Sequence, residues 1–249
     1  MKGINCFYSI GKQISGNNLT GLKVAETLYS LSKCKDSDSF FYKDEEWFKS
    51  LFSYTKSAIR RIDANHLAAI TYYSALIKYF EADLWYVLEM QIARTDITSL
   101  MNPIGLIRTS QGFALVPESL PISHQEVFQH IEAQFVDRID AYFKKTEKHA
   151  LIPVEELGNL IETFASMNEG NKNFYSHVER LADELMMKNR WNLEDYSKIL
   201  WGYVMMNANL SKRIRKVAEK IDESDLQNLP FQARNKLKWA LGQINVKNK

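Results

Sequence analysis

The chain has 249 residues, a formal net charge of +2, 45% hydrophobic and 25% charged residues, and only ten glycines, five prolines and two cysteines. This balance fits a packed protein of one or two domains or one continuous solenoid, and so few turn residues argue against an all-β fold. No apolar run is long enough to span a bilayer, the charge is too small to predict nucleic-acid binding by itself, and two cysteines make no disulfide framework.

Residues 1–16 read as irregular, with Gly3, Gly11 and Gly16 among apolar residues. No acid precedes Glu26, whereas Lys2, Lys12 and Lys23 are basic, so the start is similar to an organellar import signal in lacking acids, though it lacks arginine. A mitochondrial location is the expectation, with the cytosol as the alternative. Neither Cys6 nor Cys34 sits in a C-x-x-C pair, so a reducing compartment is the simpler reading. A helix is expected from Asn18 or Thr20 to Lys33, with Leu22, Ala25, Leu28 and Leu31 inward. A loop follows at Lys35–Ser39, then a helix over 43–60 carrying Trp47, Phe48, Leu51, Phe52 and Ile59 on one side. Asp63 or Asn65 can cap a third helix to Phe80 whose stripe is Leu67, Ile70, Tyr73, Leu76 and Ile77. A fourth follows Asp83 through Trp85, Leu88 and Ile92.

Between Ser99 and Pro121 stand three of the five prolines. The apolar arms around Leu106 and Phe113 flank Ser110-Gln111-Gly112, a spacing that predicts a β-hairpin near 104–116. Such an insert, apolar on both arms, is expected to dock a partner through Leu106 and Phe113. A long helix then runs over 123–148, with Ser123 and Glu126 at capping-box spacing and Val127, Phe128, Ile131, Phe135, Ile139 and Phe143 inward.

The strongest pattern occurs twice. Leu157, Leu160, Ile161, Phe164, Ala165 and Asn168 return 39 residues later as Tyr196, Ile199, Leu200, Tyr203, Val204 and Asn207. Phe174, Val178, Leu181, Ala182 and Leu185 return 36 residues later as Leu210, Ile214, Val217, Ala218 and Ile221. Steps of three and four place each run on one helical face, so each copy is a helix pair, and the two copies form a stacked array. Pro153 opens the first pair, Asn192 caps the second with Trp191 placed to staple it, and a last helix from Pro230 looks like the first half of another pair. The expected fold is therefore all-α: stacked antiparallel helix pairs, α-solenoid-like, with one inserted hairpin. Its parts are helical pairs over 1–98, the hairpin and its loops over 99–121, and helical repeats over 122–249.

Residues 192–221, reading Asn-Leu-Glu-Asp-Tyr-Ser-Lys-Ile-Leu-Trp-Gly-Tyr-Val-Met-Met-Asn and ending Val217-Ala218-Glu219-Lys220-Ile221, resemble a heptatricopeptide repeat. Residues 153–185 resemble it more loosely. That family comprises organellar helical-repeat RNA proteins of the FAST-kinase-like and RAP-domain group, in which a tryptophan often stands in the place of Trp201. The resemblance implies an organellar setting, and the chain leaves no room for a RAP domain after Ile244.

The search for chemistry is sparse. His66, His124, His130, His149 and His177 make no zinc spacing. Glu126 and His130 sit at i, i+4 as a helical surface pair, and the phosphate-loop, dinucleotide and nucleophile-elbow motifs are missing. No enzyme activity, cofactor or metal is expected. Residues 209–249 hold ten basic against four acidic side chains, and residues 151–208 hold five against nine. Lys212, Arg215 and Lys216 share a helical face, but Ser176, Glu179 and Arg180 occupy the matching places one repeat earlier, so no basic strip continues along the array. These three, with Trp201, Leu106 and Phe113, are the expected partner-binding residues. The expected function is a non-catalytic scaffold, an accessory subunit of a large mitochondrial assembly whose partners are other protein subunits. Contact of the basic end with RNA or acidic lipid stays open. The alternative is an organellar RNA-binding repeat protein, ribosome or RNA-processing associated.

Overall fold

Short polar side chains set the helix starts, because a side-chain oxygen can take up the free amides of a first turn. A computed structural model describes residues 19–34, 45–145, 152–188, 192–208 and 210–247. The expectations placed on residues 1–16, Cys6, the 35–39 loop, His149 and Trp191 lie outside them. Thr20 caps α1 (Gly21–Lys33), its hydroxyl accepting from the Lys23 amide at 3.3 Å. After α2 (Glu46–Ala58) and a 3₁₀ turn (Ile59–Arg61), Asp63 caps α3 (Ala64–Leu76) by accepting from Asn65 and His66. Then follow α4 (Ala82–Ile92), α5 (Thr95–Leu100), α6 (Pro103–Ala114), α7 (His124–Phe143), α8 (Val154–Ser166), α9 (Lys172–Lys188), α10 (Leu193–Met205), α11 (Lys212–Ala218), α12 (Glu223–Gln227) and α13 (Phe231–Lys247). Among the described residues there is no strand, and no helix is long and apolar enough to cross a membrane.

The expected hairpin is the main correction. Residues 103–114 form helix α6, opened by Pro103 in its first turn and capped by Asn102, whose side chain accepts from the Gly105 amide at 2.7 Å. Leu106 and Phe113 are fully buried, so they are core and not docking residues. Gly112, read as a turn glycine, lies inside the helix. Four smaller expectations also change. Leu22 and Leu76 are exposed, Val217 is half-buried, and Cys34 is disulfide-bonded, against the reading of reduced cysteines.

The chain divides into two compact units, Met1–His130 and Ile131–Lys249, with the boundary inside α7. In the first, α1 packs on α3 and α3 on α6; in the second, α8 packs on α10 and α10 on α13. These are the first helices of successive pairs, and within each unit they stack side by side.

The two units repeat one another at an interval of 90 residues, down to single hydrogen bonds. Asn102 and Asn192 cap α6 and α10, each accepting the amide three residues on at 2.7 Å. Helices α3 and α8 both end on a left-handed residue, Lys78 (φ 53°) and Asn168 (φ 55°). In both, the next amide bonds back five residues at 2.9 Å, from Tyr79 to Ser74 and from Glu169 to Phe164. That is the Schellman closure, which satisfies the last carbonyls and turns the chain into the second helix. An aromatic in the second helix then ties down the turn. The Trp85 indole N–H donates to the Tyr79 carbonyl at 2.8 Å, and the Tyr175 hydroxyl donates to that of Glu169 at 3.1 Å. The same aromatics meet the next first helix edge-on, Trp85 against Phe113 at 5.5 Å and Tyr175 against Tyr203 at 5.7 Å.

Small residues let the first helices approach backbone to backbone. A Cβ on Gly112 would lie 3.1 Å from the Thr71 carbonyl, and one on Gly202 would lie 3.1 Å from the carbonyl oxygen of Ile161. One contact further along, the Cβ place at Gly105 is 3.5 Å from Ala68 Cβ, and that at Gly158 is 3.1 Å from the Asp195 carbonyl oxygen. All four contacts fall at matched positions of the two units.

Two outcomes follow. Gly112→Ala and Gly202→Ala should each lose about 1–3 kcal/mol by overpacking against the Cγ2 methyl and the carbonyl of Thr71 and Ile161. Gly242→Ala, where nothing lies within 4 Å, should gain about 0.5–1 kcal/mol from helix propensity. Urea titration of the three variants checks this. Phe113→Ala should destabilise by about 3–5 kcal/mol, and a wild-type melting curve for it would contradict the buried place of α6.

Candidate functional site

The six residues expected to bind partners do not form one site. Leu106 and Phe113 belong to the core of the first unit. Lys212, Arg215 and Lys216 are exposed on α11, a second helix, whereas Trp201 is half-buried on α10, a first helix. The basic group is also partly used within the fold. The Arg215 guanidinium donates to the Leu210 carbonyl at 3.2 Å and lies within electrostatic reach of Glu179, and Arg213 donates to the Asp183 carbonyl at 2.8 Å. Lys212 and Lys216 remain as solvent-facing charges.

The described histidines are held in local structural contacts. His66 is 3.8 Å from its capping Asp63, His177 is 3.2 Å from Asp140, and His130 lies 3.9 Å from Glu126 with its other nitrogen 3.2 Å from the Thr95 hydroxyl. His124 lies edge-on to Phe113, and burial pulls its pKa down. Among the described residues, no three His, Cys, Asp or Glu side chains converge where a metal could sit. A cleft of about 360 Å³ opens beside Gly170 and the Met206–Ala208 turn, walled by Lys172, Tyr175, Ser176 and Glu179 of α9. Burial pushes up the Glu179 carboxyl, nearby Asp183 adds to this, and Arg215 opposes it. The Tyr175 phenol is pushed up by its burial, and its hydroxyl is already given to the Glu169 carbonyl. The cleft offers polar contacts without a nucleophile and base in register.

The outer surface of the first helices is more informative. In the first unit it carries Leu22 (47% exposed), Tyr29 (47%), Leu76 (37%) and Leu115 (48%), with Tyr72 and Ile104 half-buried. A line of ring contacts crosses all three helices. Lys33 sits 5.5 Å over the Tyr29 ring, Tyr29 meets Tyr73 edge-on at 5.3 Å, and the Arg108 guanidinium lies 5.8 Å over Tyr73. Ninety residues on, the second unit is polar at four of these places, with Asn159 for Ala69, Glu162 for Tyr72, Ser166 for Leu76 and Glu194 for Ile104, while Met205 in the place of Leu115 is apolar and exposed, as are Phe231 and Trp239 on α13. The polar residues bond within their unit. Lys198 reaches Asn159 at 3.0 Å and Glu194 at 3.9 Å, while Lys236 pairs with Glu162 and lies 4.9 Å over the Trp201 ring. Sequence reasoning singled out the 104–116 segment but chose its inner residues. Exposed Leu115 and half-buried Arg108 were the surface signal, legible only once the segment is read with a helical period.

The second helices are tied to one another at their starts. Lys56 of α2 meets Glu81 at the head of α4 at 2.8 Å. Glu89 of α4 accepts the Ser123 amide before α7 at 2.9 Å, and Glu132 of α7 accepts from both amide groups of Asn171 before α9. Asp183 of α9 accepts the Ser211 hydroxyl before α11 at 2.6 Å. The Ser123 amide is thus satisfied from a neighbouring helix. Compared with the models of known protein families and with curated proteins, the chain finds no match in either.

Glu89 gives a pH test of these ties. Burial raises its carboxyl above the ordinary value, the Ser123 amide partly offsets this, and nearby Glu126 raises it further. Its protonated form is thus favoured in the fold. The stability it contributes is complete below the unfolded-state pKa and is lost as pH rises through the raised folded value. Glu89→Gln keeps an oxygen for the Ser123 amide and removes the charge. It should match wild type near pH 4 and be as stable or more stable at pH 7, with the gap widening as pH rises. Thermal melts across that range check this, and a variant that weakens progressively towards pH 7 would contradict it.

Proposed function

We propose that this chain is a non-catalytic helical-repeat scaffold that holds another protein, as an accessory subunit of a larger assembly. One observation supports the reading above the others. On matched backbones, Tyr72, Leu76 and Ile104 of one unit stand where the other has Glu162, Ser166 and Glu194, and there Glu162 and Glu194 are paired with Lys236 and Lys198. An exposed apolar surface costs solubility unless something covers it, whereas the charges at the matched places are neutralised within their own unit. The mitochondrial setting rests on the heptatricopeptide resemblance of residues 153–221.

A second reading has its own support. Tyrosine or tryptophan lies under a cation at Lys33/Tyr29, Arg108/Tyr73 and Lys236/Trp201, a combination on which single-stranded bases can stack. The aliphatic residues between these rings fit a protein partner better than a phosphate backbone. Purification from native cells should recover the chain with stoichiometric protein subunits. The purified chain should bind single-stranded RNA weakly, with a shallow dependence on salt. Reversing Lys212, Arg215 and Lys216 to Glu should change that binding little. Tight, steeply salt-dependent RNA binding lost on this reversal would make RNA recognition the primary function.

A further inference from the structure

We propose that the first-helix surface of the first unit, built by α1, α3 and α6, docks an acidic amphipathic helix of a partner protein, an inference that rests on the scaffold reading above. The argument turns on one cation present in both units. Arg108 on α6 and Lys198 on α10 occupy the same position 90 residues apart. Lys198 is held within its unit by Asn159 at 3.0 Å, Glu194 at 3.9 Å and Asp195 at 4.0 Å. At those three places the first unit has Ala69, Ile104 and Gly105. All of the cation's polar partners are gone while the cation is kept. Its contact is the Tyr73 ring, and it has no carboxylate among the described residues.

The same exchange that removes the carboxylates supplies apolar surface. Ile104 replaces Glu194, Tyr72 replaces Glu162 and Leu76 replaces Ser166, and Tyr72 matches Tyr29 on α1. The surface therefore complements an acidic amphipathic helix, whose apolar stripe would cover its apolar residues and whose flanking carboxylates would pair its cation. A helical ligand presents the stripe at i, i+3, i+4 and i+7. Three first helices at roughly 8–10 Å spacing offer a track about 20 Å long, matched by about 13–14 residues of helix at roughly 1.5 Å per residue. The apolar stripe would cover Tyr29, Leu76 and Leu115, and the carboxylates would reach Arg108 and Lys33, which already lie over tyrosine rings. Glu26, on the exposed side of α1, sets the orientation by repelling the acidic flank from that corner.

The test places a photo-crosslinking amino acid at Leu76 or Leu115 of the full chain expressed in its native cells. Ser166 and Met205, the matched positions of the second unit, serve as controls. Crosslinks from Leu76 and Leu115 should map to one protein segment with acidic residues flanking a helical apolar period, at yields well above the controls. Arg108→Glu should cut that yield roughly tenfold with helical circular dichroism unchanged, and Arg108→Lys should retain most of it. Crosslinks to RNA, to a second copy of this chain or to a segment without acidic residues would overturn the proposal. So would yields equal to those at Ser166 and Met205 while the chain still elutes with its protein subunits, a result that leaves the scaffold reading standing. Elution of the chain without protein subunits would remove both.

Discussion

Close contact at glycines between α3 and α6 and between α8 and α10 is the constraint from which the other features follow. Where Gly112 faces Thr71 and Gly202 faces Ile161, the glycine leaves room for only the Cγ2 methyl and the carbonyl of the facing residue, so the helices' separation and register are tightly fixed. A Leu or Val there would push the helices apart and shift every contact downstream. With the first helices locked, the second helices have one place to go. The aromatic at the same point of the second helix (Trp85 or Tyr175) then reaches the turn carbonyl and the next first helix at once. Side-chain links such as Glu89 to the Ser123 amide and Asp183 to Ser211 carry the order along the second helices.

A frame fixed from within leaves its outer surface free to differ. The first unit and the second share caps, turn geometry and aromatic contacts, yet one presents Tyr72, Leu76 and Ile104 where the other presents Glu162, Ser166 and Glu194. None of these exchanges touches the small-residue contacts that set the helix spacing. At these three places surface chemistry is decoupled from packing, which lets a repeat fold vary its surface on a constant core.

Much of this frame was legible in the chain itself. The 39- and 36-residue shifts located α8 to α11, Asn192 was read as a cap, the choice of Asp63 or Asn65 for the third helix falls on Asp63, and the last helix was read as half a pair. Helical pairs over 1–98 were expected, but their repetition at 39 residues was hidden because polar residues fill some of the apolar places. Leu67, Ile70, Thr71 and Ser74 of α3 return in α6 as Leu106, Thr109, Ser110 and Phe113, again at 39 residues. Thr71, Thr109 and Ser110 are fully buried because each hydroxyl bonds a carbonyl one turn back, which lets them pass as core. The hairpin reading failed for a related reason. Gly112 was taken for a turn residue, although Pro103 behind Asn102 is a helix start and a glycine nine residues later can mark a close helix contact. The exposure of Leu22 and Leu76 could not be read from period alone, since the helical stripe shows which residues align but not where the neighbouring helix ends.

Amide hydrogen exchange tests the shared packing most directly, because it reads the two units separately in one experiment. If α6 is a stacked first helix like α10, residues 106–113 and 196–203 should exchange slowly and with similar protection, both far slower than Glu118 and Ser119 in the exposed loop after α6. Rapid exchange across 106–113 beside slow exchange across 196–203 would contradict the common frame, and with it the surface that α6 is held to present.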